Sequence, residues 1–226
     1  MHDAVVIGAS GGIGAALVRR LEQSERYGAV HALSRSAGTI DLTDPSSIAA
    51  EAERIRGPLA LVIVATGLLH EGDRRPERSL RALEADWLLR QYQVNTVGPA
   101  LVLRHFTPLL AKDAPATIAC LSARVGSISD NRLGGWYGYR AAKAALNQIV
   151  KCAAIEIARG RPQAVCVALH PGTVDTGLSA PFQGNVAEDK LFTPDYSAER
   201  LLAVLDGLTP ADSGGLFAWD GERIAP

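Results

Sequence analysis

The strongest constraint on this chain is an alternation. Short runs that are apolar throughout take turns with stretches whose apolar residues recur every three or four positions. Residues 4–7, 29–33, 59–65, 116–121 and 164–169 are rich in Val, Ile, Leu and Ala and read as strands buried on both faces. Between them, Ala15, Ala16, Leu17, Val18 and Leu21 share a helical face from which Arg19 and Arg20 point away. Pro45 opens a second helix on Ile48, Ala52 and Ile55, and Gly57-Pro58 stops it. Residues 80–111 read as one long helix, with Gly98-Pro99 expected to bend or restart it. Residues 137–158 give a long helix, 197–205 a shorter one capped by Ser197, and 216–219 a last short strand.

Apolar strands alternating with amphipathic helices build βαβ units, whose crossovers are almost always right-handed. The expected fold is α/β: a Rossmann-type doubly wound parallel sheet of about seven strands with helices on both faces. Ligands then bind at the carboxyl ends of the strands. No internal repeat or linker interrupts the pattern, so residues 1–226 are read as one domain. Residues 177–195 show no period and read as a substrate loop, with Leu178, Phe182 and Leu191 as its apolar wall.

Composition narrows the function. Apolar residues make up 47% of the chain, too many for a disordered one. With 23 Lys+Arg against 24 Asp+Glu, the net charge is −1, which argues against binding nucleic acid by phosphate neutralisation. No apolar run reaches the roughly 18 residues of a membrane span. Cys120, Cys152 and Cys166 have neither zinc nor disulfide spacing and read as small buried hydrophobes. The Met1-His2-Asp3 start lacks a signal-peptide pattern, and a cytoplasmic location is expected.

Chemistry enters at the turn after the first strand, Gly8-Ala9-Ser10-Gly11-Gly12-Ile13-Gly14. Gly8 permits a tight exit from the strand, Gly12 a close approach of backbone to a pyrophosphate, and Gly14 packing of helix on sheet. The helix N-terminus offers unpaired N–H groups to the phosphates. The tip of the second strand, Leu33-Ser34-Arg35-Ser36, has no acid to hold a ribose 2′-hydroxyl. Arginine forks onto phosphate oxygens, so Ser34 and Arg35 favour NADP(H) over NAD, a plain surface arginine being the alternative. Asp41, in Asp41-Leu42-Thr43, is placed to accept from an adenine amine, or else caps a helix. Tyr139 and Lys143 stand one helical turn apart on one face. An ammonium beside a phenol lowers its pKa, which makes tyrosine a useful proton donor or acceptor.

Together these residues resemble the short-chain dehydrogenase/reductase family. The matching pieces are Gly8-x-x-x-Gly12-x-Gly14, Asp41-Leu42-Thr43, Asn95 in Val94-Asn95-Thr96-Val97-Gly98-Pro99, Tyr139-x-x-x-Lys143 and Pro171-Gly172. Residues 127–131, 137–140 and 170–176 further resemble the C-factor and sniffer-like carbonyl reductase branch. The resemblance implies that Tyr139 is the general acid/base and that Lys143 holds the nicotinamide ribose and lowers the tyrosine pKa. It implies that Asn95 kinks its helix and holds a relay water, and that Thr173 and Thr176 contact the nicotinamide amide and the phosphates. The cofactor would run along Gly8, Ser10, Gly12, Ile13, Gly14, Ser34, Arg35, Asp41, Leu42, Ala65, Thr66, Gly67, Tyr139, Lys143, Pro171, Gly172, Thr173 and Thr176. The helices at 84–111 and 137–158 would form a homodimer or homotetramer interface.

Three positions depart from the family pattern. Ile7 stands where a threonine usually supports the loop, and Val64-Ala65-Thr66-Gly67 replaces an Asn-x-Ala-Gly turn. The Ser-Ser pair before the catalytic helix reads Ser122-Ala123, a one-residue offset that in an extended segment reverses the facing side. Ser122 is taken as the substrate-oxygen donor, with Ser127 another hydroxyl nearby and a mere strand end as the alternative. Tyr137 has Ala141 four residues on and reads as a pocket wall or packing residue. The reading is an NADP(H)-dependent reductase acting on a small carbonyl or alcohol. A cofactor-binding signalling or sensor protein with little turnover is the alternative, and a nucleotide-sugar epimerase relative ranks last.

Overall fold

Three strand ends lie level at the centre of the molecule. In the register of β1 (Asp3–Ile7) with β2 (Val30–Leu33) and β3 (Leu59–Val64), Ile7 faces Leu33 on one side and Val64 on the other. The chain therefore leaves all three strands at one height. The computed structural model describes residues 1–226, the side chains of Asn185 and Glu188 excepted. Its main sheet runs β2-β1-β3-β4-β5-β8-β9, with β4 (Ala116–Leu121), β5 (Ala164–His170) and β8 (Leu216–Ala218) parallel to the first three. Strand β9 (Arg223–Ile224) closes the edge antiparallel to β8. The doubly wound α/β sheet is the one the alternation implies, with an antiparallel edge added. Its strand order reverses between β1 and β3, which places the ligand crevice outside their carboxyl ends.

Alternate residues of each strand feed two cores. Val5, Ile7, Val62, Val64, Ile118 and Cys120 face α2 (Pro45–Ile55), α4 (Gly98–Phe106) and α5 (Tyr137–Gly160), where Phe106 and Leu146 are fully buried. Ala4, Val6, Leu61, Ile63 and Ala119 face α1 (Gly12–Gln23) and α6 (Pro194–Gly207) through Leu17 and Leu201. Cys120 and Cys166 are buried, whereas Cys152 is exposed, so only two of the three cysteines are core residues.

The stretch 80–111 departs from a single helix. A 3-10 turn at Leu80–Ala82 precedes α3 (Ala85–Tyr92), and a π-helical turn at Gln93–Val97 joins α3 to α4. Helical backbone passes straight through Gly98-Pro99, because Pro99 sits in the first turn of α4, where a missing N–H costs little. Gly98 is required by packing: a Cβ there would lie 2.7 Å from Leu42 Cβ. The start of α6 also moves. Thr193 caps it, accepting from Tyr196 N–H at 3.1 Å, and Pro194 opens the helix. Ser197 lies inside the first turns and donates to Pro171 O at 2.9 Å. Residues 177–195 are not shapeless: 3-10 turns occupy Ala180–Asn185 and Glu188–Lys190, and β7 (Leu191–Phe192) pairs with β6 (Thr173–Val174).

Phe106→Ala tests the larger core. The side chain is fully buried, so truncation is expected to cost about 3–5 kcal/mol, read as a lowered midpoint in urea unfolding.

Candidate active site

The turn after β1 is built from close backbone approaches. Gly8 has φ +91° and donates to Leu33 O at 2.8 Å, while a Cβ on it would fall 2.7 Å from Ala65 O. A Cβ on Gly14 would run into Gly8 O, and one on Gly12 would lie 2.6 Å from Thr176 Cγ2. Helix α1 starts at Gly12 with no side-chain cap and no acid in its first turn. Its first N–H groups are thus left for an anion.

Beyond this turn, the cleft between the tips of β1, β2 and β3 is lined by Gly8, Ser10, Ser34, Arg35, Asp41, Leu42, Ala65, Thr66 and Gly67, all anticipated. Ile13 instead packs half-buried onto the sheet, and Gly12 and Gly14 shape the turn without lining this cleft. Ser34 is largely spent locally, its hydroxyl accepting from Ala37 N–H at 3.2 Å and meeting Ser36 Oγ at the same distance. Arg35 is exposed and takes part in no ion pair among the described residues. Asp41 Oδ1 accepts from both Thr43 N–H and Thr43 Oγ1 at 2.8 Å, which holds its carboxyl below the usual range. Asp44, not Asp41, caps α2. Thr66 Oγ1 is buried in the cleft with no partner. Open N–H groups, glycines that a Cβ would crowd and an orphaned hydroxyl fit a dinucleotide.

Two charged lining residues, Glu71 and Arg90, escaped the sequence reading. Arg90 of α3 faces the cleft and pairs with Glu71 at 2.9 Å. The one signal was its place four residues before Val94, which lines the same cleft.

Helix α5 carries the Tyr139 and Lys143 pair. Lys143 is 2% exposed, donates from Nζ to Leu121 O at 2.8 Å, and stands 5.7 Å from the Tyr139 ring centroid. Burial brings its pKa down to about 8. Burial also pushes Tyr139 well above its ordinary value, with no lowering contribution from Lys143. This corrects the expected activation: the ammonium is aimed at a carbonyl, and desolvation wins. A Cβ built on Gly67 would sit 3.7 Å from Asn95 Oδ1 and 3.9 Å from Lys143 Nζ, so these groups face one another across Gly67. Asn95 lies in the π turn, fully buried. It accepts from Leu68 N–H at 2.9 Å and donates to Leu68 O and Gln91 Oε1, each at 2.8 Å.

Ser122 is directed elsewhere. Its hydroxyl donates to Asn147 Oδ1 at 2.7 Å. Asn147 is eight residues beyond Tyr139, two turns or about 12 Å along α5. The offset therefore has the consequence that strand geometry implies: Ser122 is turned to Asn147 of α5, and the following position carries only a methyl group. Ser127 is equally buried, its hydroxyl accepting from Asp130 N–H at 3.1 Å.

The second wall comes from residues 170–192. Gly172 has φ +79°, and a Cβ there would strike Phe192 at 2.6 Å. Pro171 O is held by Ser197, Thr173 pairs with Leu191, and Thr176 reaches Gly12, so this segment closes on the glycine turn. Phe182 lies 5.2 Å from Trp136, which meets Tyr139 edge-on at 6.3 Å. His70 flanks Phe182 at 5.9 Å, with Nε2 3.0 Å from Gly177 O. Among the described residues no cluster of three His, Cys, Asp or Glu side chains could hold a metal. Nor, among the described residues, is any helix long and apolar enough to cross a membrane.

Fold and residues together define a doubly wound dinucleotide-binding protein with a buried Tyr–Lys pair at its switch point. A family model described as enoyl-(acyl carrier protein) reductase matches residues 12–203, and the chain belongs to the short-chain dehydrogenase/reductase family. One curated relative is the 1-hydroxy-2-glutathionyl-2-methyl-3-butene dehydrogenase of Rhodococcus sp. (strain AD45), 36% identical over 140 residues. That match spans 62% of this chain but only 59% of the relative. Another is the C-signal of Myxococcus xanthus, 36% identical over 138 residues, with 61% and 77% covered. Among solved structures, the NADPH-bound carbonyl reductase from chicken fatty liver superposes with a TM-score of 0.83 at 26% identity, covering 99% of this chain and 94% of that one. Carbonyl reductase Sniffer of D. melanogaster gives 0.84 at 23% identity over the whole of both chains, a likeness of fold.

Replacing Lys143 with Met tests its buried charge. Between pH 8 and 10.5 the unfolded chain binds more protons than the folded one, so wild-type stability rises with pH across that window. Lys143→Met is expected to flatten this slope and to raise stability at pH 7, measured by urea unfolding at several pH values.

Proposed function

We propose that the protein is an NADP(H)-dependent reductase that interconverts a small carbonyl compound and its alcohol. The observation that carries this reading is the buried Tyr139–Lys143 pair, whose Lys143 Nζ comes close to Gly67 in the wall of a cleft that fits a dinucleotide. The nicotinamide nucleotide, when bound, supplies or accepts the hydride. Gly8, Ser10, Gly12 and Gly14 hold its phosphates through the glycine turn and the start of α1. Asp41, Leu42, Ala65, Thr66, Gly67 and Arg90 enclose its adenosine half. Pro171, Gly172, Thr173 and Thr176 close over it from the other side. The absence of an acid at the β2 tip, with Arg35 unpaired, supports NADP(H) over NAD.

Tyr139 gives the proton to the substrate oxygen in reduction. Its burial-raised pKa keeps the phenol protonated, the form that a donor needs. Lys143 holds the nicotinamide ribose, and Asn95 keeps the strap at Leu68 in place beside it. With the Ser122 hydroxyl spent on Asn147, the carbonyl is polarised chiefly by Tyr139, and Ser122 acts through Asn147 as a brace. The substrate enters under residues 177–195, against Phe182 and Trp136. The same reading places the protein in the cytoplasm as a homodimer or homotetramer packed through α4 and α5, where Ile155 is left exposed. Sedimentation that shows only a 23.9 kDa species would refute the assembly.

Tyr139→Phe is expected to lower turnover about 10²–10⁴-fold with NADPH binding intact, followed by cofactor oxidation over a carbonyl panel. Normal activity of this variant would overturn the catalytic assignment. Arg35→Ala is expected to weaken NADPH binding roughly ten- to a hundredfold, the loss of a charged hydrogen bond, and to leave NADH almost unchanged. Equal losses for both nucleotides in a fluorescence titration would overturn the role of Arg35.

A further inference from the structure

The strap between β3 and α3, residues 65–84, touches the site at several points. Asn95 holds both backbone groups of Leu68, His70 meets the Gly177 carbonyl, and Glu71 pairs with Arg90. Its last contact is Glu77. This acid is 3% exposed, and no Lys, Arg or His pairs with it among the described residues. One carboxylate oxygen, Oε2, accepts from Gly138 N–H at 3.0 Å, and the Glu77 backbone carbonyl accepts from Trp136 N–H. The other, Oε1, is buried without a partner.

Both bonds fall on the first turn of the catalytic helix, which has no cap of its own. The N-cap residue, Trp136, is left-handed at φ 52° and ψ 42°, where an N-cap is ordinarily extended and carries a short polar side chain. Gly134 and Gly135 before it are also at positive φ. A bulky residue there is strained and persists only where its surroundings hold it. Phe182 and Tyr139 pack on the Trp136 ring, and its backbone N–H is held by Glu77. The fit favours glycine two residues on, since a Cβ on Gly138 would lie 2.9 Å from Glu77 Oε1, 3.2 Å from Leu88 Cδ2 and 3.3 Å from Gln91 Cγ.

We propose that Glu77 is a positioning residue for proton transfer. It caps the catalytic helix from another element and fixes Tyr139, the residue after Gly138, in line with Lys143 and Asn95. The consequence for turnover rests on the reductase reading, whereas the cap itself does not. Its action is geometric, so Gln, which can still accept from Gly138 N–H, should replace it, and Ala should not.

The test compares the wild type with E77Q, E77A, G138A and the E77A/G138A double variant. Amide hydrogen exchange is read over residues 136–140, together with NADPH affinity, kcat and KM for a carbonyl that the wild type reduces. A misplacement of about 1 Å can cost about a hundredfold in rate, so E77A is expected to lower kcat about ten- to a hundredfold. Its NADPH affinity and KM should hold within about twofold. Exchange protection at Gly138 should be lost in E77A and kept in E77Q, which should retain most of kcat. G138A should reproduce the E77A defect, and the double variant should be no worse than either single one. Wild-type kcat in E77A, an E77Q as impaired as E77A, or equal losses in kcat, KM and NADPH affinity would each overturn the proposal. If E77A does not fold, E77Q and G138A decide it. A wild type that reduces no carbonyl sinks the reductase reading alone. Exchange at Gly138 then still decides the cap, which unchanged protection in E77A overturns.

Discussion

The carboxyl end of the sheet depends on how closely the exit from β1 approaches the end of β3. Ile7 lies level with Leu33 and Val64, and Gly8 must leave the strand where a side chain would meet the Ala65 carbonyl. The turn then folds back so tightly that Gly14 has no room for a Cβ against the Gly8 carbonyl. These contacts are backbone on backbone, so a larger side chain cannot be absorbed by rotamer changes. The same closeness explains why Ile7 can replace a hydrogen-bonding threonine. Ile7 is fully buried, and the turn is held by the Gly8 and Ala9 amides on Leu33 O.

Along α5, burial and charge oppose one another at Tyr139 and Lys143. An ammonium close to a phenol hydroxyl would dominate an exposed pair. Here Nζ is turned to the Leu121 carbonyl, and both side chains are cut off from water. Desolvation therefore governs both groups, raising Tyr139 and lowering Lys143 to about 8. A polyanionic nucleotide in the cleft works against the second of these shifts, because a nearby negative charge favours the ammonium. The chain alone holds a neutral phenol beside an ammonium whose pKa burial has lowered.

What could be read in the sequence follows from how far each feature depends on distant residues. The buried strands were legible because parallel strands covered on both faces have no polar positions to obscure them. The π turn at Gln93–Val97 was not, since it accompanies the bonds from Asn95 to Leu68, 27 residues away in the chain. The start of α6 was missed by a turn because Ser197 looks like a cap while Thr193-Pro194 supplies one. Ser122 could be found as a residue, but the direction of its hydroxyl depends on Asn147, 25 residues on. Glu77 gave no pattern at all and Arg90 only its place four residues before Val94, their partners lying 61 and 19 residues away.

Charge shows the same distinction between having a residue and placing it. A net charge of −1 says nothing of where a polyanion could bind. Pairing does. Arg20 is held by Asp195 and Glu199, Arg26 by Asp206, Arg54 by Glu51, and Arg124 by Glu222 and Asp130. Each of these cations has its counter-charge on the protein and offers little to a ligand. At the cleft the balance differs: Arg35 carries no partner among the described residues, Lys143 has only a carbonyl, and α1 begins without an acid. Asp41 and Glu71, the acids that line it, are themselves engaged by Thr43 and Arg90. Arg35, Lys143 and the open start of α1 are then what a polyanion meets at the cleft, so a near-neutral chain can hold one without being basic.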